Sequence, residues 1–559
     1  MGDSVKPWST RGGAAVVQDM IGDAGTRGRI PFAFRIGVTG HRTLDDPESL
    51  SLAVREALSR LKELIPGSPT TNLVLVVVSA LAEGADRLVA KQILAEKGSR
   101  LEAALPLRRE DYLNDFRQDG SKREFQGLLE QASETWQASP GSSREGAYEL
   151  AGRYVVDRSD ALIALWDGEP ARGQGGTAAI VEYARKRGVP LVWIGTKGDR
   201  RIIYELEAPR ASIVRDAARK LHDYNASVID ASYFSSQAHA AREQLMPDTA
   251  STSTDTFRLS YEKATDWLIP YFVRADIITL RYQRRFQLLS WLIFALAAAA
   301  VAVVAIQTNF WPGQDLLAAI EVIFLLLLLS ILRMNQRWRL HDRWISYRFL
   351  AERLRSGYFL ALAGRGDRRE WPTRLSYLSD SSEVWIERAL AEVMARRPEL
   401  SDSRSDVTLL RDYLNHYWIG SQIRYHNKTA CRQRRWDDRM NRATVLLFVL
   451  TLIAAFLHML GHDVLHILSF WQELLIVVSI TVPTIGAAIH GIRTQHQFRH
   501  HSERSCRMAG LLAQVHEEMG QAADLKTIQK VAAETEQLMR EESSDWFGVM
   551  RFRDMELIT

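Results

Sequence analysis

Leu288–Ile306 reads LLSWLIFALAAAAVAVVAI, 19 residues without a charge. A helix rises 1.5 Å per residue, so this run covers about 28 Å, close to the hydrocarbon core of a bilayer. Three more runs share its character: Leu316–Leu332, interrupted by Glu321 and Ser330; Ala443–Leu460, with His458 near its end; and Leu474–Ile492, with Pro483 in its middle. A single such run could be a buried core helix of a large soluble protein. Four of them with basic flanks are rare outside membranes, so an all-α membrane domain of four transmembrane helices in two hairpins is expected.

The flanks predict orientation. Arg281, Arg284 and Arg285 precede the first run, and Arg333, Arg337, Arg339 and Arg343 follow the second, whereas the connection Gln307–Asp315 has neither Lys nor Arg. The second pair repeats this: Arg432, Arg434, Arg435, Arg439 and Arg442 come before it, Arg493, Arg499 and Arg504 after it, and Gly461–Glu473 carries no Lys or Arg. The positive-inside rule then puts both connections outside and both termini in the cytoplasm of an inner (plasma) membrane protein. Trp311 and Trp471 sit where interfacial aromatics belong. A shift of 159 places Leu316 on Leu475, Ser346 on Ser505 and Arg348 on Arg507, so the hairpins read as a repeat. Glu321 has two readings. A carboxylate in a span marks a membrane pathway, or, only six residues past Asp315, it meets water near the outer edge.

Taken whole, the 559-residue chain is of ordinary composition, 46% hydrophobic and 25% charged, and too long for one core. A net charge of +4 clustered beside the spans gives no reason to expect direct nucleic-acid binding. Cys431 and Cys506 stand in basic segments and form no CxxC site, so neither a disulfide nor a metal is expected. The boundaries expected are a tail at 1–28, an α/β domain at 29–246, a Ser/Thr-rich linker at 247–256, a first two-span module at 257–400 and a second at 401–559 with cytoplasmic C-terminal helices. From Phe257 a helical pattern runs into the first span, and continuity there would carry rotation of the soluble domain to the membrane.

The N-terminal part alternates strand and helix. Strands are predicted at Phe32–Val38, Asn72–Val78, Leu101–Leu105, Ala161–Trp166 and Pro190–Ile194, with helices between, which argues for a Rossmann-like, mostly parallel sheet. Ligands of such sheets sit at the carboxyl ends of strands. Three loops stand there. Gly37–Arg42 offers Gly40 for close backbone approach, and His41 and Arg42 for phosphate or base. Ser79–Asp86 offers Ser79, Glu83 and Gly84. Asp167–Thr177 ends in Gly175, Gly176 and Thr177 ahead of a helix N-terminus, an anion cradle built from free N–H groups and the helix dipole. No Gly-Lys-Ser/Thr, GxGxxG, GxSxG or metal-ligand cluster occurs, so no catalytic residue and no cofactor is assigned.

Gly37-Val38-Thr39-Gly40-His41-Arg42, Glu83-Gly84-Ala85-Asp86 and Gly175-Gly176-Thr177, with Leu105-Pro106-Leu107 and Tyr112…Asp115-Phe116 between them, resemble the SLOG superfamily of Rossmann-like nucleotide-binding domains over about Arg29–Thr196. The membrane half is similar in architecture to SLATT-type two-span effector modules. The resemblance implies a cytoplasmic sensor of a nucleotide or nucleotide derivative whose four-span region forms a homo-oligomer and opens or perturbs the membrane, in bacterial antiviral defence. An enzymatic branch of the superfamily releases bases from nucleoside monophosphates, with a glutamate three residues after the Gly-Thr. Here that position is Ile180 and the nearest acid is Glu182, about 200° around the helix. A membrane-anchored nucleotide-processing hydrolase is therefore the alternative, and a scaffold that has lost its ligand is a third reading.

Overall fold

The computed structural model describes residues 27–139, 143–170, 176–197, 201–245, 255–364, 381–400, 406–461 and 469–551. The tail expected at 1–28 lies outside them apart from its last two residues, as do most of the linker, Gly175, and residues 462–468 of the second connection. The chain divides into two compact units. One lies within Met1–Gln237, Trp267–Arg274 and Gly366–Pro398, and the other within Ala238–Asp266, Ala275–Arg365 and Glu399–Thr559.

The first unit is α/β. Its strands are β1 (Phe32–Gly40), β2 (Leu73–Ser79), β3 (Arg100–Leu105), β4 (Ala132–Gln137), β5 (Ala161–Trp166), β6 (Leu191–Gly195) and β7 (Ile202–Glu205). Its helices up to residue 226 are α1 (Pro47–Lys62), α2 (Ala85–Leu94), α3 (Arg109–Leu113), α4 (Asp119–Glu130), α5 (Arg144–Arg158), α6 (Thr177–Lys186) and α7 (Pro209–Ala226). The sheet order is β4-β3-β2-β1-β5-β6-β7, parallel except for β7. The five strands predicted from sequence are all present. The edge strands β4 and β7 were not foreseen, because ASETWQ and IIYE lack the long β-branched run that marks a buried strand.

Local chemistry starts and stops these elements. Asp46 caps α1 by accepting the Ser49 amide at 3.1 Å, with Pro47 at the first helical position. Ser143 caps α5 by accepting from Gly146 at 3.1 Å. From β1 the chain crosses to β2 through α1, and from β5 it crosses the opposite way to β6 through α6. Right-handed crossovers then put α1 and α6 on opposite faces. On the α6 side, Val155 and Val156 of α5 and Ile180, Val181 and Ala184 of α6 pack on Val78, Ala104, Leu162 and Ala164 of the sheet.

A buried ion-pair network crosses the amino-terminal half of the strands. Glu102 receives Arg35 Nε at 3.1 Å and Arg158 Nε at 2.8 Å, and Arg158 also reaches Glu134 at 3.0 Å. Burial alone would raise the Glu102 carboxyl, but the two guanidinium groups outweigh it and hold it well below the usual carboxylate range. Asp160 accepts the Arg35 amide at 2.8 Å and a bidentate pair of 2.6 Å bonds from Arg388. Arg388 lies on a distant helix, Ser381–Met394, which packs on α7 and β1 and also donates from Arg388 to the Ala33 carbonyl at 2.7 Å. The sequence-based boundary at residue 246 therefore does not enclose this unit: helix 381–394 and Trp267–Arg274 belong to it.

The second unit is helical. Its elements, with α8 (Ala231–Leu245) shared at its start, are α9 (Asp255–Phe310), α10 (Asp315–Trp338), α11 (Leu340–Leu362), then, beyond α12 (Ser381–Met394), α13 (Val407–Tyr413), a π-helical turn Leu414–Gly420, α14 (Ser421–Gly461), α15 (Ser469–His496), α16 (Phe498–Gln521) and α17 (Leu525–Arg551). Among the described residues four helices are long and apolar enough to cross a membrane, and each expected span falls inside one of them: α9, α10, α14 and α15. Their large apolar side chains face outward, with Leu316, Leu326, Leu446, Phe448 and Leu452 each more than half exposed. Such a surface belongs in lipid. α9 is a single helix through Pro270, and α15 continues through Pro483.

The two hairpins end alike. α10 ends at Arg339 (φ 46°) and α15 at Gln497 (φ 48°), non-glycine residues in the left-handed region from which α11 and α16 begin. Each has its amide bonded back into the helix it ends, Arg339 to Asn335 at 2.9 Å and Gln497 to Arg493 at 3.0 Å. The two breaks are 158 residues apart, one fewer than the sequence shift of 159.

Arg388→Met strands a buried carboxylate, a change that typically costs about 3–5 kcal/mol. Thermal unfolding of the detergent-solubilised chain should show one transition lowered by about 10 °C. A shift under about 2 °C would mean that Asp160 does not depend on this pair.

Candidate functional site

An open cleft of about 650 Å³ lies at the carboxyl ends of β1 and β5. These are the adjacent strands from which the chain departs in opposite directions, the switch point where open α/β sheets bind ligands. Its size falls in the range of small-molecule sites, about 300–1,000 Å³.

The end of β1 supplies Thr39 and Gly40 to the wall, the turn after it His41 and Arg42, and the start of α6 Gly176 and Thr177. Gly40 is required by close packing: a Cβ there would stand 2.4 Å from the Ala85 Cβ. His41 is held from both sides. Its amide donates to Leu165 at 3.0 Å, and its carbonyl accepts from Ala85 at 3.0 Å. Its Nε2 accepts the Asp167 amide at 3.1 Å and lies 3.0 Å from Asp167 Oδ1. Arg42 is exposed and its guanidinium lies 5.3 Å from the Tyr148 ring centre.

The remaining sequence-selected residues stand behind or away from this wall. Gly37 is buried in β1, where a Cβ would meet Ser159 Oγ at 2.4 Å. Gly84 takes φ +76° at the start of α2, where a Cβ would press on the His41 and Arg42 carbonyls at 2.4 Å, so it joins the two loops. Ser79 is fully buried and donates to Asp86 Oδ2 at 3.0 Å while accepting the Leu81 amide at 2.9 Å. Glu83 accepts from the Ser121 hydroxyl. Glu182 is exposed and pairs with Lys186 one turn on at 2.7 Å, whereas Ile180 lines the cleft. Gly175 lies outside the described residues. Glu321, in the second unit, is half-buried in α10.

Several cleft groups were not selected from sequence. Asp86 projects from the first turn of α2, and burial pushes its carboxyl up to about 6 against hydrogen bonds from Ser79 and the Ala82 and Ala80 amides and the charge of Arg42. Tyr112 OH, Tyr148 OH and Thr196 Oγ1 line the same cleft, each buried and without a hydrogen-bond partner in the protein. Tyr112 is fully buried, and burial pushes its hydroxyl well above the ordinary tyrosine range, so it stays a neutral donor. Asp167 receives Lys197 Nζ at 3.0 Å. Burial raises its carboxyl, but hydrogen bonds from Lys197 and the Glu169 amide, with the His41 ring beside it, outweigh that and hold it well below the carboxylate range. The nearest sequence signals were Asp86 at the end of the Glu83–Asp86 run and Tyr112 in the Tyr…Asp-Phe pattern; nothing marked Tyr148 or Thr196.

The cleft thus offers neutral hydroxyl donors, carboxylates able to accept sugar hydroxyls, one exposed guanidinium and the N-terminus of α6. Among the described residues no group of His, Cys, Asp and Glu could hold a metal ion. No family model matches the chain, and no curated protein is significantly similar to it.

Asp86 carries a proton in the folded state at pH values where the unfolded chain has lost it. Its contribution to stability is complete below about pH 4, falls as pH rises through about 6, and stays low above, about 3 kcal/mol in all. Asp86→Asn should therefore melt level with or below the parent at pH 4 and several degrees above it at pH 7.5. An equal offset at both pH values would mean that Asp86 titrates normally.

Proposed function

We propose that the cleft binds a nucleotide or nucleotide derivative and that the four-span region acts as the effector of that binding. The observation that carries this is the convergence of three unpartnered buried hydroxyls, Tyr112, Tyr148 and Thr196, on one cleft at the switch point. An unpaired buried polar group costs roughly 1–3 kcal/mol, so three together favour a polar ligand that pairs with them. A phosphate suits the α6 N-terminus at Gly176 and Thr177, a base suits the Arg42–Tyr148 side, and ribose hydroxyls suit the carboxylates. Six residues of the SLOG-like motif set, Thr39, Gly40, His41, Arg42, Gly176 and Thr177, line the same cleft.

In this reading the basic flanks of the spans face the cytoplasm with the cleft, and both short connections face outward. The outward apolar faces of α10 and α14 serve lipid and a second copy of the chain, whose spans complete a pore or a membrane defect. α9 contributes Trp267–Arg274 to the α/β unit and holds the first span in its later residues, so it is the element such signalling would use. A role in bacterial defence follows from the SLOG and SLATT resemblance.

One observation favours the hydrolase as a second reading. A cleft carboxyl at about 6, as at Asp86, is suited to proton transfer near neutral pH. Against it, neither Glu83 nor Glu182 lines the cleft.

Calorimetric titration of the purified full-length chain with ATP, ADP, ADP-ribose and cyclic dinucleotides, followed by chromatography of each mixture, tests both. Binding of one class is expected, with the ligand recovered intact, and Tyr148→Phe and Arg42→Ala should each weaken it roughly 10-fold. Release of a free base would make the chain an enzyme. Affinities unchanged in both variants would remove the ligand from this cleft.

A further inference from the structure

The second unit contains a cavity of about 170 Å³, enclosed by α9, α11, the π-helical turn, α14, α15, α16 and α17 beside the left-handed break at Gln497. One buried water needs only about 10–15 Å³ of such space, so it is large enough for a polyatomic ligand. Six arginines line it against two glutamates. Both glutamates are already engaged. Glu352 pairs with Arg355, and Glu542 receives Arg504 Nε at 2.9 Å. Burial raises the Glu352 carboxyl, but the charges of Arg355 and Arg348 outweigh it and leave it lowered, as expected in a strongly positive enclosure.

The cavity also holds donors without acceptors. Trp418 is fully buried and stacked on Phe359 with 5.1 Å between ring centres, and its indole N–H has no hydrogen-bond partner. An indole nitrogen can only donate, so this group calls for an acceptor inside the cavity. His426 Nδ1 and His496 Nε2, from α14 and α15, are likewise buried without partners. Arg348 donates to the Tyr425 hydroxyl at 2.8 Å on the same wall. Excess guanidinium charge, an obligate N–H donor and two imidazole nitrogens around one void make a receptor for a compact, multiply charged oxyanion.

We infer that this cavity is a binding site for a phosphate-bearing anion, separate from the α/β cleft. It lies where α15 leaves its apolar run, three residues beyond Arg493, the level at which basic pockets between spans take phosphorylated headgroups. The same chemistry would also hold a free phosphate compound from solution.

The test uses the full-length chain in phosphatidylcholine discs. In one arm radiolabelled inorganic pyrophosphate is titrated by equilibrium dialysis. In the other, discs containing phosphatidic acid are analysed for lipid retained through delipidation. Binding in either arm is expected, the arm identifying the source. Trp418→Phe, which keeps an aromatic ring but removes the pyrrole half of the indole with its N–H, should weaken it roughly 10- to 100-fold. The exposed Arg432→Gln at the rim should weaken it less. Arg42→Ala in the α/β cleft should leave it unchanged. Absence of binding in both arms, or equal binding by the parent and Trp418→Phe, would overturn the inference, and binding lost in Arg42→Ala alone would assign the anion to the α/β cleft instead.

Discussion

The reversal of strand order between β1 and β5 is the constraint on which the α/β unit turns. Because the chain leaves β1 toward β2 and leaves β5 toward β6, the crossover helices diverge and the carboxyl ends of these two strands stay uncovered. Backbone bonds then brace the opening: the His41 amide to Leu165, its carbonyl to Ala85, and the Asp167 amide to the His41 ring. Gly40 and Gly84 allow this, since a side chain at either would collide with the neighbouring loop. The cleft is a product of topology first and of residue choice second.

At the other end of the strands the buried charges of Arg35, Glu102, Arg158 and Asp160 hold the sheet to itself, and Arg388 ties it to a helix more than 220 residues further along the chain. Buried pairs add little net stability over apolar packing but make the loss of one partner costly. They therefore select the position of α12 more than they strengthen the fold. The membrane unit is built differently. Its spans expose their apolar faces, and beyond them arginines of α11, α14, α16 and α17 gather around a positively charged cavity.

Much of this was legible in the sequence because it rests on strong periodic signals. Charge-free runs such as Leu288–Ile306 and β-branched runs such as Leu73–Val78 admit few other structures. β4 is mostly polar, β7 is only four residues long, and α12 is a short charged amphipathic stretch whose partner is distant, so local pattern could not place them. The left-handed breaks at Arg339 and Gln497 fall on residues with no preference for that conformation. Within the site, glycine-rich turns marked the right loops, but their motif residues divided by role. Thr39, Gly40, His41, Arg42, Gly176 and Thr177 reach the cleft; Gly37, Ser79 and Gly84 support it; Glu83 turns to Ser121. Tyr148 and Thr196 join it only through the packing of α5 and β6, which no short motif records.

Photoaffinity labelling of the full-length chain with an azido-purine nucleotide, followed by peptide mapping, tests the central assignment most directly. The account predicts label on peptides carrying His41–Arg42, Tyr148 or Trp166, abolished by excess of the unmodified nucleotide. Label confined to peptides of the helical unit, or label that competitor does not displace, would contradict it.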